Sequence, residues 1–314
     1  MGAILADEPV KEIYTLADLK DWKKTTRNVE PSVRLGVLGD PVAHSRSPQM
    51  QNAALSACKI KMQYGHFHIL PNELEDALRM FGQLDFVGLN LTVPHKIPAF
   101  GFIQDLDESA QRVGAVNGIA ISDNQMRGFN TDGRGFSLAI REEFSVDLRD
   151  LRVLVLGAGG AARAIALQCA REKCERLVIA NRTFEKGKAL ANELRNFFAG
   201  PKVLGPVPRL QAIPWEEAAF RFQIANLDLI VNATPLGLNR ADASPLPARL
   251  LEPHLMIYDT VYSNSRPPFV SAALEAGARG ANGLSMLLHQ GALAFEIWFG
   301  RDAPIEAMRA ALAK

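Results

Sequence analysis

Short apolar runs alternate with longer stretches of helical periodicity along most of the chain. Runs of about four to eight residues rich in Val, Ile and Leu predict β-strands, and the stretches between them predict helices. The predicted strands are residues 33–39, 63–70, 86–93, 153–156, 177–180, 229–233, 256–259 and a short one near 279–281. Such alternation is typical of open, mostly parallel α/β sheets with helices packed on their faces.

Cap and turn residues place the helices between these strands. Short helices are predicted near Thr15 and from Pro71, and Ser47 is predicted to cap a helix with Pro48 in its first turn. Residues 118–122 and 126–130 predict a hairpin that turns at Asp123 and Asn124. The remaining expectations are helices over 103–112, from 133, from 182 to 198, 284–299 and 304–312, with a Pro-rich loop at 200–214.

Composition and charge narrow the class of protein. The 314 residues carry 35 Lys and Arg against 34 Asp and Glu, and no concentrated basic surface is expected that would bind nucleic acid or an anionic membrane. No apolar run approaches the roughly 18 residues of a membrane span. The three cysteines match neither a disulfide framework nor a zinc site, so we expect a cytoplasmic protein. The length favours two domains.

One stretch predicts a dinucleotide site. The apolar run 153–156 leads into Gly157, Gly159 and Ala162, which match the pattern G-x-G-x-x-G/A between a strand and a helix. Glycines allow the backbone to approach a pyrophosphate, and the helix N-terminus favours anions. The alternative is an ordinary glycine-rich turn. The residues of this turn that are predicted to contact the dinucleotide are Gly157, Ala158, Gly159, Gly160 and Ala161.

The end of the next strand bears on the choice of cofactor. NAD-binding units carry an acidic residue there for the ribose hydroxyls, whereas this chain has Asn181, Arg182 and Thr183. A guanidinium would pair with a 2′-phosphate, and Lys186 follows one helical turn later, so NADP is favoured over NAD. The alternatives are that Arg182 and Lys186 are solvated charges at a helix start, and that the nearby Glu185 permits some use of NAD.

Polar residues lie where the strands of the N-terminal half end, which is where open α/β sheets bind ligands. Lys96 and Asp132 are both in such turns, and a lysine beside a carboxylate can exchange a proton with an alcohol. Spacing alone does not bring them together, so an exposed loop lysine and a helix cap are equally good interpretations. His66 and His68 share one face of a strand, but without a third ligand a structural role is favoured over metal binding.

Taken together, the motifs of the chain from Val33 onward resemble those of the shikimate dehydrogenase family. The segment GDPVAHSRSP at 39–48 resembles its substrate loop, and NLTVPHK at 90–96 resembles its catalytic-lysine motif. GAVN at 114–117, NTDG at 130–133 and GAGGA at 157–161 follow in order. NRT, NAT and a terminal Gly283-Leu284 with Gln290 complete the set.

The resemblance implies an NADP-dependent enzyme that interconverts 3-dehydroshikimate and shikimate in aromatic amino acid biosynthesis. Lys96 would supply the proton, oriented with the substrate by Asp132. Ser45 and Ser47 would bind the substrate carboxylate. The ring would contact Asn90, Thr92, Lys96, Asn117, Asp132, Tyr262 and Gln290. The cofactor would contact the glycine turn, and the residues after the next strand would contact its 2′-phosphate end: Asn181, Arg182, Thr183 and Lys186. The residues near its ribose and nicotinamide would be Asn232, Ala233, Thr234, Val261 and Gly283.

The expected architecture is therefore a two-domain α/β protein. Residues 1–32 are expected to form a polar leader without evident chemistry. The substrate domain is expected to comprise residues 33–131 and 284–314 and to be built on an open, mostly parallel sheet. The Rossmann-type NADP domain is expected to comprise residues 132–283. We expect a monomer or homodimer without metal. Two alternatives stay open: a quinate/shikimate dehydrogenase with relaxed use of NAD and NADP, and a catalytically idle NADP-binding regulatory protein.

Overall fold

The computed structural model describes residues 11–199, 208–238, 241–262 and 266–313. These residues build two β-sheets, and buried apolar clusters lie on both faces of each sheet. Each sheet is thus the middle layer of a helix–sheet–helix sandwich, the arrangement that apolar strands with two buried faces require. The predicted α/β class with two sheet-based units is confirmed.

The first sheet has seven strands in the described residues, in the spatial order β1-β3-β2-β4-β6-β7-β5. Among them only β6 runs antiparallel to its neighbours, so the sheet is mostly parallel. The predicted hairpin is β6 and β7, and its turn uses positive φ angles at Asp123 and Asn124. The strands are β1 Ile13–Thr15, β2 Val33–Gly39, β3 Gln63–His68, β4 Gly88–Leu91, β5 Asp105–Leu106, β6 Gly118–Ser122 and β7 Gln125–Phe129.

The second sheet is wholly parallel over its described strands, in the order β10-β9-β8-β11-β12-β13. The order reverses between β8 and β11, and a doubly wound sheet binds its ligand in the crevice at that point. The strands are β8 Arg152–Leu156, β9 Arg176–Asn181, β10 Leu210–Pro214, β11 Leu229–Asn232, β12 Met256–Asp259 and β13 Arg279–Ala281.

Thirteen α-helices connect and cover these strands in the described residues. The last two helices pack on the face of the first sheet, where Phe295 and Met308 join the core around Leu35 and Val37. The helices are α1 Leu16–Lys20, α2 Trp22–Thr25, α3 Ser47–Ala57, α4 Leu74–Phe81, α5 Pro98–Phe102, α6 Glu108–Val113, α7 Asp132–Phe144, α8 Gly160–Arg171, α9 Phe184–Leu194, α10 Glu217–Ile224, α11 Pro268–Glu275, α12 Leu284–Phe299 and α13 Ile305–Leu312.

The interpretation of residues 1–32 as a polar leader is wrong for its described part. Ile13–Thr15 forms the edge strand β1, paired in parallel with β3, and the helix predicted near Thr15 is α1. Tyr14 and Leu19 are buried in the core of the first sheet. Residues 1–10 of the leader lie outside the described residues.

Three local predictions are corrected by backbone detail. The helix expected over 103–112 is the shorter helix α6, which follows the two-residue strand β5, because Asp107 caps α6 by accepting a hydrogen bond from the Ala110 N–H at 2.8 Å. Residues 210–214 of the expected Pro-rich loop form the edge strand β10, while residues 200–207 lie outside the described residues. Helix α3 begins at Ser47 and its N-cap is Arg46, so Ser47 is no cap.

Candidate active site

A cavity of about 440 Å³ lies between the two sheets, and both sheets contribute to its walls. Residues that belong to the predicted substrate set line one side: Ser45, Ser47, Asn90, Thr92, Lys96, Asp132, Tyr262 and Gln290. Residues of the predicted cofactor set line the other: Gly157, Ala158, Gly159, Gly160, Ala161, Asn181, Ala233, Thr234, Val261 and Gly283. One cavity is thus lined by members of both sets, as a transfer between substrate and cofactor requires.

Lys96 and Asp132 meet in this cavity. The Lys96 ammonium donates to Asp132 Oδ2 at 2.7 Å, and the two side chains are 17% and 3% exposed. Lys96 is held through its carbonyl oxygen, which accepts from the Val116 N–H at 2.8 Å. Asp132 is the first residue of α7, where the helix dipole stabilises a carboxylate. The geometry therefore excludes the interpretation of Lys96 as an isolated exposed lysine.

Asn117 lies one layer behind this pair. Its amide nitrogen donates to Asp132 Oδ1 and Thr131 Oγ1, both at 2.9 Å, and lies 3.3 Å from Gln290 Oε1. The Thr131 hydroxyl donates to the Gln290 carbonyl oxygen at 3.0 Å. These contacts join the start of α7 to α12, so a residue late in the chain reaches the cavity.

The loop between β2 and α3 presents Ser45 and Ser47. The phenol of Tyr262, which follows the end of β12 in the second sheet, lines the cavity with Ser45, and desolvation by burial raises the pKa of Tyr262 although its interaction with Ser45 lowers it. His66 contacts the Ser45 carbonyl oxygen at 2.9 Å, and His68 contacts Asp40 at 2.8 Å. Both histidines hold this loop, and among the described residues no group of three potential ligands could hold a metal ion.

The glycine turn before α8 has the geometry of a pyrophosphate cradle. Gly157 has a φ of +116°, and a Cβ there would come within 2.9 Å of the Ala233 carbonyl oxygen. A Cβ at Gly159 would meet no atom within 4 Å, so its side faces open space at the N-terminus of α8. A Cβ at Gly160 would lie 3.0 Å from Lys96 Cβ, so the turn adjoins the lysine.

The remaining residues of the predicted cofactor set lie outside the cavity lining. Asn232 is buried behind it, where its side chain joins Asp259 and Thr234. Arg182, Thr183 and Lys186 are exposed just beyond Asn181, at the end of β9. Among the described residues Arg182 and Lys186 have no ion-pair partner, whereas Glu185 pairs with Lys188 at 3.7 Å.

Comparisons with known proteins agree with this geometry. Three family models match the chain: the shikimate dehydrogenase substrate binding domain at residues 37–119, shikimate/quinate 5-dehydrogenase at 139–202 and the shikimate 5′-dehydrogenase C-terminal domain at 283–313. A shikimate dehydrogenase (NADP+) of Symbiobacterium thermophilum is 40% identical over 291 residues, 92% of this chain and 96% of its own. The chain belongs to the shikimate dehydrogenase family.

Solved structures of the shikimate dehydrogenase family share the fold. A shikimate dehydrogenase in complex with NADP+ aligns with a TM-score of 0.80 and 34% identity, covering 90% of this chain and 95% of the other. A shikimate 5-dehydrogenase of Thermus thermophilus in complex with NADP(H) and shikimate aligns with a TM-score of 0.77 and 35% identity, covering 90% and 98%. Within the described residues no helix is long and apolar enough to span a bilayer.

One residue that contacts the predicted substrate-binding residues was absent from the sequence predictions. Tyr64 on β3 is buried, and its hydroxyl donates to Asn90 Oδ1 at 2.8 Å. Burial raises the pKa of Tyr64 well above its usual value, although the interaction of its phenol with Ser47 lowers it. A tyrosine inside a strand resembles any core residue in sequence, so only the register of β3 on β2, and of β2 on β4, reveals its place.

Proposed function

We propose that the protein is an NADP-dependent shikimate dehydrogenase, which reversibly reduces 3-dehydroshikimate to shikimate in aromatic amino acid biosynthesis. The observation that carries the proposal is the ion pair between Lys96 and Asp132 beside the glycine turn, inside one cavity. A proton donor and a site for a hydride carrier are the two parts that reduction of a ketone needs.

The side chains at the second sheet fit NADP. The open space at Gly159 and the free N–H groups of α8 suit a pyrophosphate. Arg182 and Lys186 would bind the 2′-phosphate with the Thr183 hydroxyl, and Glu185 is already engaged by Lys188. When bound, the nicotinamide supplies or accepts the hydride. Asn181, Ala233, Thr234, Val261 and Gly283 would line its ribose and ring, and Asn232 would hold this wall from behind.

The first sheet would hold a carboxylated, hydroxylated ring. Ser45 and Ser47 offer hydroxyl donors to the carboxylate without bulk. Directional hydrogen bonds to the ring would come from Asn90, Thr92, Asp132, Tyr262 and Gln290. Asn117 would act on the ring through Asp132 and Gln290, because its amide is already bonded to both.

Lys96 would transfer the proton. During reduction its ammonium group donates a proton to the carbonyl oxygen of the substrate, and during oxidation the neutral amine takes a proton from the hydroxyl group. Asp132 keeps the amine directed at the cavity through the 2.7 Å contact. The low exposure of both side chains strengthens this interaction relative to a surface ion pair.

We assign residues 33–131 with 284–314 to the substrate domain and 132–283 to the NADP domain, with β1 as an added edge of the first. Three free cysteines support a cytoplasmic location. We infer a monomer or a homodimer.

A four-way assay tests the function. Purified protein is given shikimate or quinate with NADP+ or NAD+, and NADPH or NADH formation is followed at its absorbance maximum. Shikimate with NADP+ should be turned over fastest. Faster turnover of quinate with NAD+ would contradict the proposal in favour of a relaxed quinate/shikimate dehydrogenase. If no pair of substrate and cofactor reacts while NADP+ still binds, the result would favour the alternative of a catalytically idle regulatory protein.

A further inference from the structure

Two loops at the ends of adjacent strands form the cofactor-side wall of the cavity. One follows β11 and the other follows β12, and Asn232 faces Asp259 in the register between these strands. The wall residues that the loops contribute are Ala233, Thr234, Pro235 and Leu238 from the first, and Thr260, Val261 and Tyr262 from the second. Neither Asn232 nor Asp259 lines the cavity, and both are fully buried.

These two buried side chains tie the loops together. Asp259 Oδ1 accepts from the Asn232 amide at 2.8 Å and from the Val261 N–H at 3.0 Å. The same Asn232 amide donates to the Leu236 carbonyl oxygen at 2.9 Å, and Asn232 Oδ1 accepts from the Thr234 hydroxyl at 2.7 Å. One carboxylate oxygen therefore sets the position of both loops.

The loop that Asp259 holds also reaches the substrate side. Tyr262 follows Val261 directly and lines the same cavity as Ser45, whose side chain interacts with its phenol. Gly283 packs against the backbone of this loop so closely that a Cβ would lie 2.2 Å from the Thr260 carbonyl oxygen. A small displacement at Asp259 would therefore move residues on both sides of the reacting atoms.

The other carboxylate oxygen of Asp259, Oδ2, holds neither loop. Among the described residues Asp259 Oδ2 has no hydrogen-bond partner, and a Cβ at Gly237 would lie 3.8 Å from it. Burial raises the pKa of Asp259 to about 7, so the neutral acid is populated near neutral pH. Oδ1 accepts hydrogen bonds in either protonation state, which makes asparagine a close mimic of the neutral acid.

We propose that Asp259 is a positioning residue for hydride transfer, which fixes Val261 and Tyr262 through Oδ1 so that cofactor and substrate meet in reactive geometry. The inference rests on the proposed function, because that function gives Val261 and Tyr262 their roles. Misplacement of reacting groups by about 1 Å can cost on the order of a hundredfold in rate.

The test compares three variants in the shikimate and NADP+ assay. Asp259→Ala removes the acceptor, and kcat should fall at least tenfold with a higher KM for shikimate. The Kd for NADP+, measured by fluorescence, should change less than threefold, because the 2′-phosphate site is elsewhere. Asp259→Asn keeps an acceptor at Oδ1, and its kcat should stay within threefold of the wild type.

Ile257→Ala serves as the matched control, since Ile257 is fully buried in the same strand, belongs to an apolar core cluster and does not line the cavity. It should lower the melting temperature at least as much as Asp259→Ala and leave kcat within twofold. The inference is overturned if Asp259→Ala keeps wild-type kcat, if Asp259→Asn is as impaired as Asp259→Ala, or if Ile257→Ala loses kcat equally. A wild type inactive on shikimate would contradict the proposed function as well.

Discussion

At the scale of single residues, the site depends on a nearly buried ion pair whose carboxylate accepts a hydrogen bond on each oxygen. Removing charges from water is costly unless partners satisfy them, and here Asp132 receives Lys96 on one oxygen and Asn117 on the other. A lysine that is bonded to such a carboxylate keeps one orientation and still has N–H protons to donate. The pair therefore combines a fixed position with the ability to exchange a proton, which a solvated surface pair lacks.

Replacing Lys96 tests this assignment. Lys96→Ala should lower kcat by about 10²–10⁴-fold, the usual contribution of a general acid. The Kd for shikimate should change only a few fold, because the serine and amide contacts remain. Stopped-flow turnover and calorimetric titration with shikimate give the two values. The exposed Lys61 provides the control, and Lys61→Ala should match the wild type; a Lys96→Ala variant with weak binding but normal kcat would contradict the role.

The local motifs of the site could be predicted from the sequence, whereas the buried residues that hold the site residues in place could not. The glycine turn and the residues 130–133 are visible because a positive φ at Gly157 and a helix start at Asp132 constrain residue types locally. Tyr64 and Asp259 act through the register of neighbouring strands, which joins residues far apart in the chain. Their types are also ordinary for a buried strand or a strand end, so no local signal marks them.

At the scale of elements, the N-terminal segment is part of the first core. Tyr14 on β1 stacks on Phe67 with ring centroids 5.3 Å apart, and Trp22 of α2 packs edge-on against Tyr14 at 5.0 Å. A three-residue strand is too short for its periodicity to be recognised, and its pairing with β3 is nonlocal. The burial of this segment implies a role in stability and none in catalysis.

A substitution in α1 measures that role. Leu19 is 1% exposed, and Leu19→Ala should lower the unfolding free energy by about 2–5 kcal/mol through lost burial and a residual cavity. The urea transition followed by tryptophan fluorescence gives the change. Lys20→Ala, at the exposed neighbouring position, should stay within about 0.5 kcal/mol. Equal effects of the two variants would mean that α1 is not part of the core, and kcat/KM should be unchanged in both.

At the scale of the whole molecule, the cavity exists because two sheets face each other with their ligand-binding edges. Helix α12 joins them: it starts beside Gly283 of the cofactor wall, carries Gln290 to the substrate side and packs on α7 and α3. A ligand on the substrate side and a ligand on the cofactor side therefore both contact elements that α12 connects. Each should stabilise the fold, and both together should stabilise it more than either alone.

Melting temperatures with NADP+, shikimate and both test this expectation. At free NADP+ equal to 100 times Kd the stabilisation is about 2.7 kcal/mol. Arg182→Ala removes a charged contact of about 1.5–3 kcal/mol, which raises Kd roughly 10–100-fold. The stabilisation at the same concentration should then fall to roughly 0.4–1.4 kcal/mol, while that by shikimate stays unchanged. Arg171→Ala, at an exposed cation in the last turn of α8, is the control and should behave as wild type. A wild type that NAD+ stabilises as strongly as NADP+ would show that Arg182 does not select the phosphate.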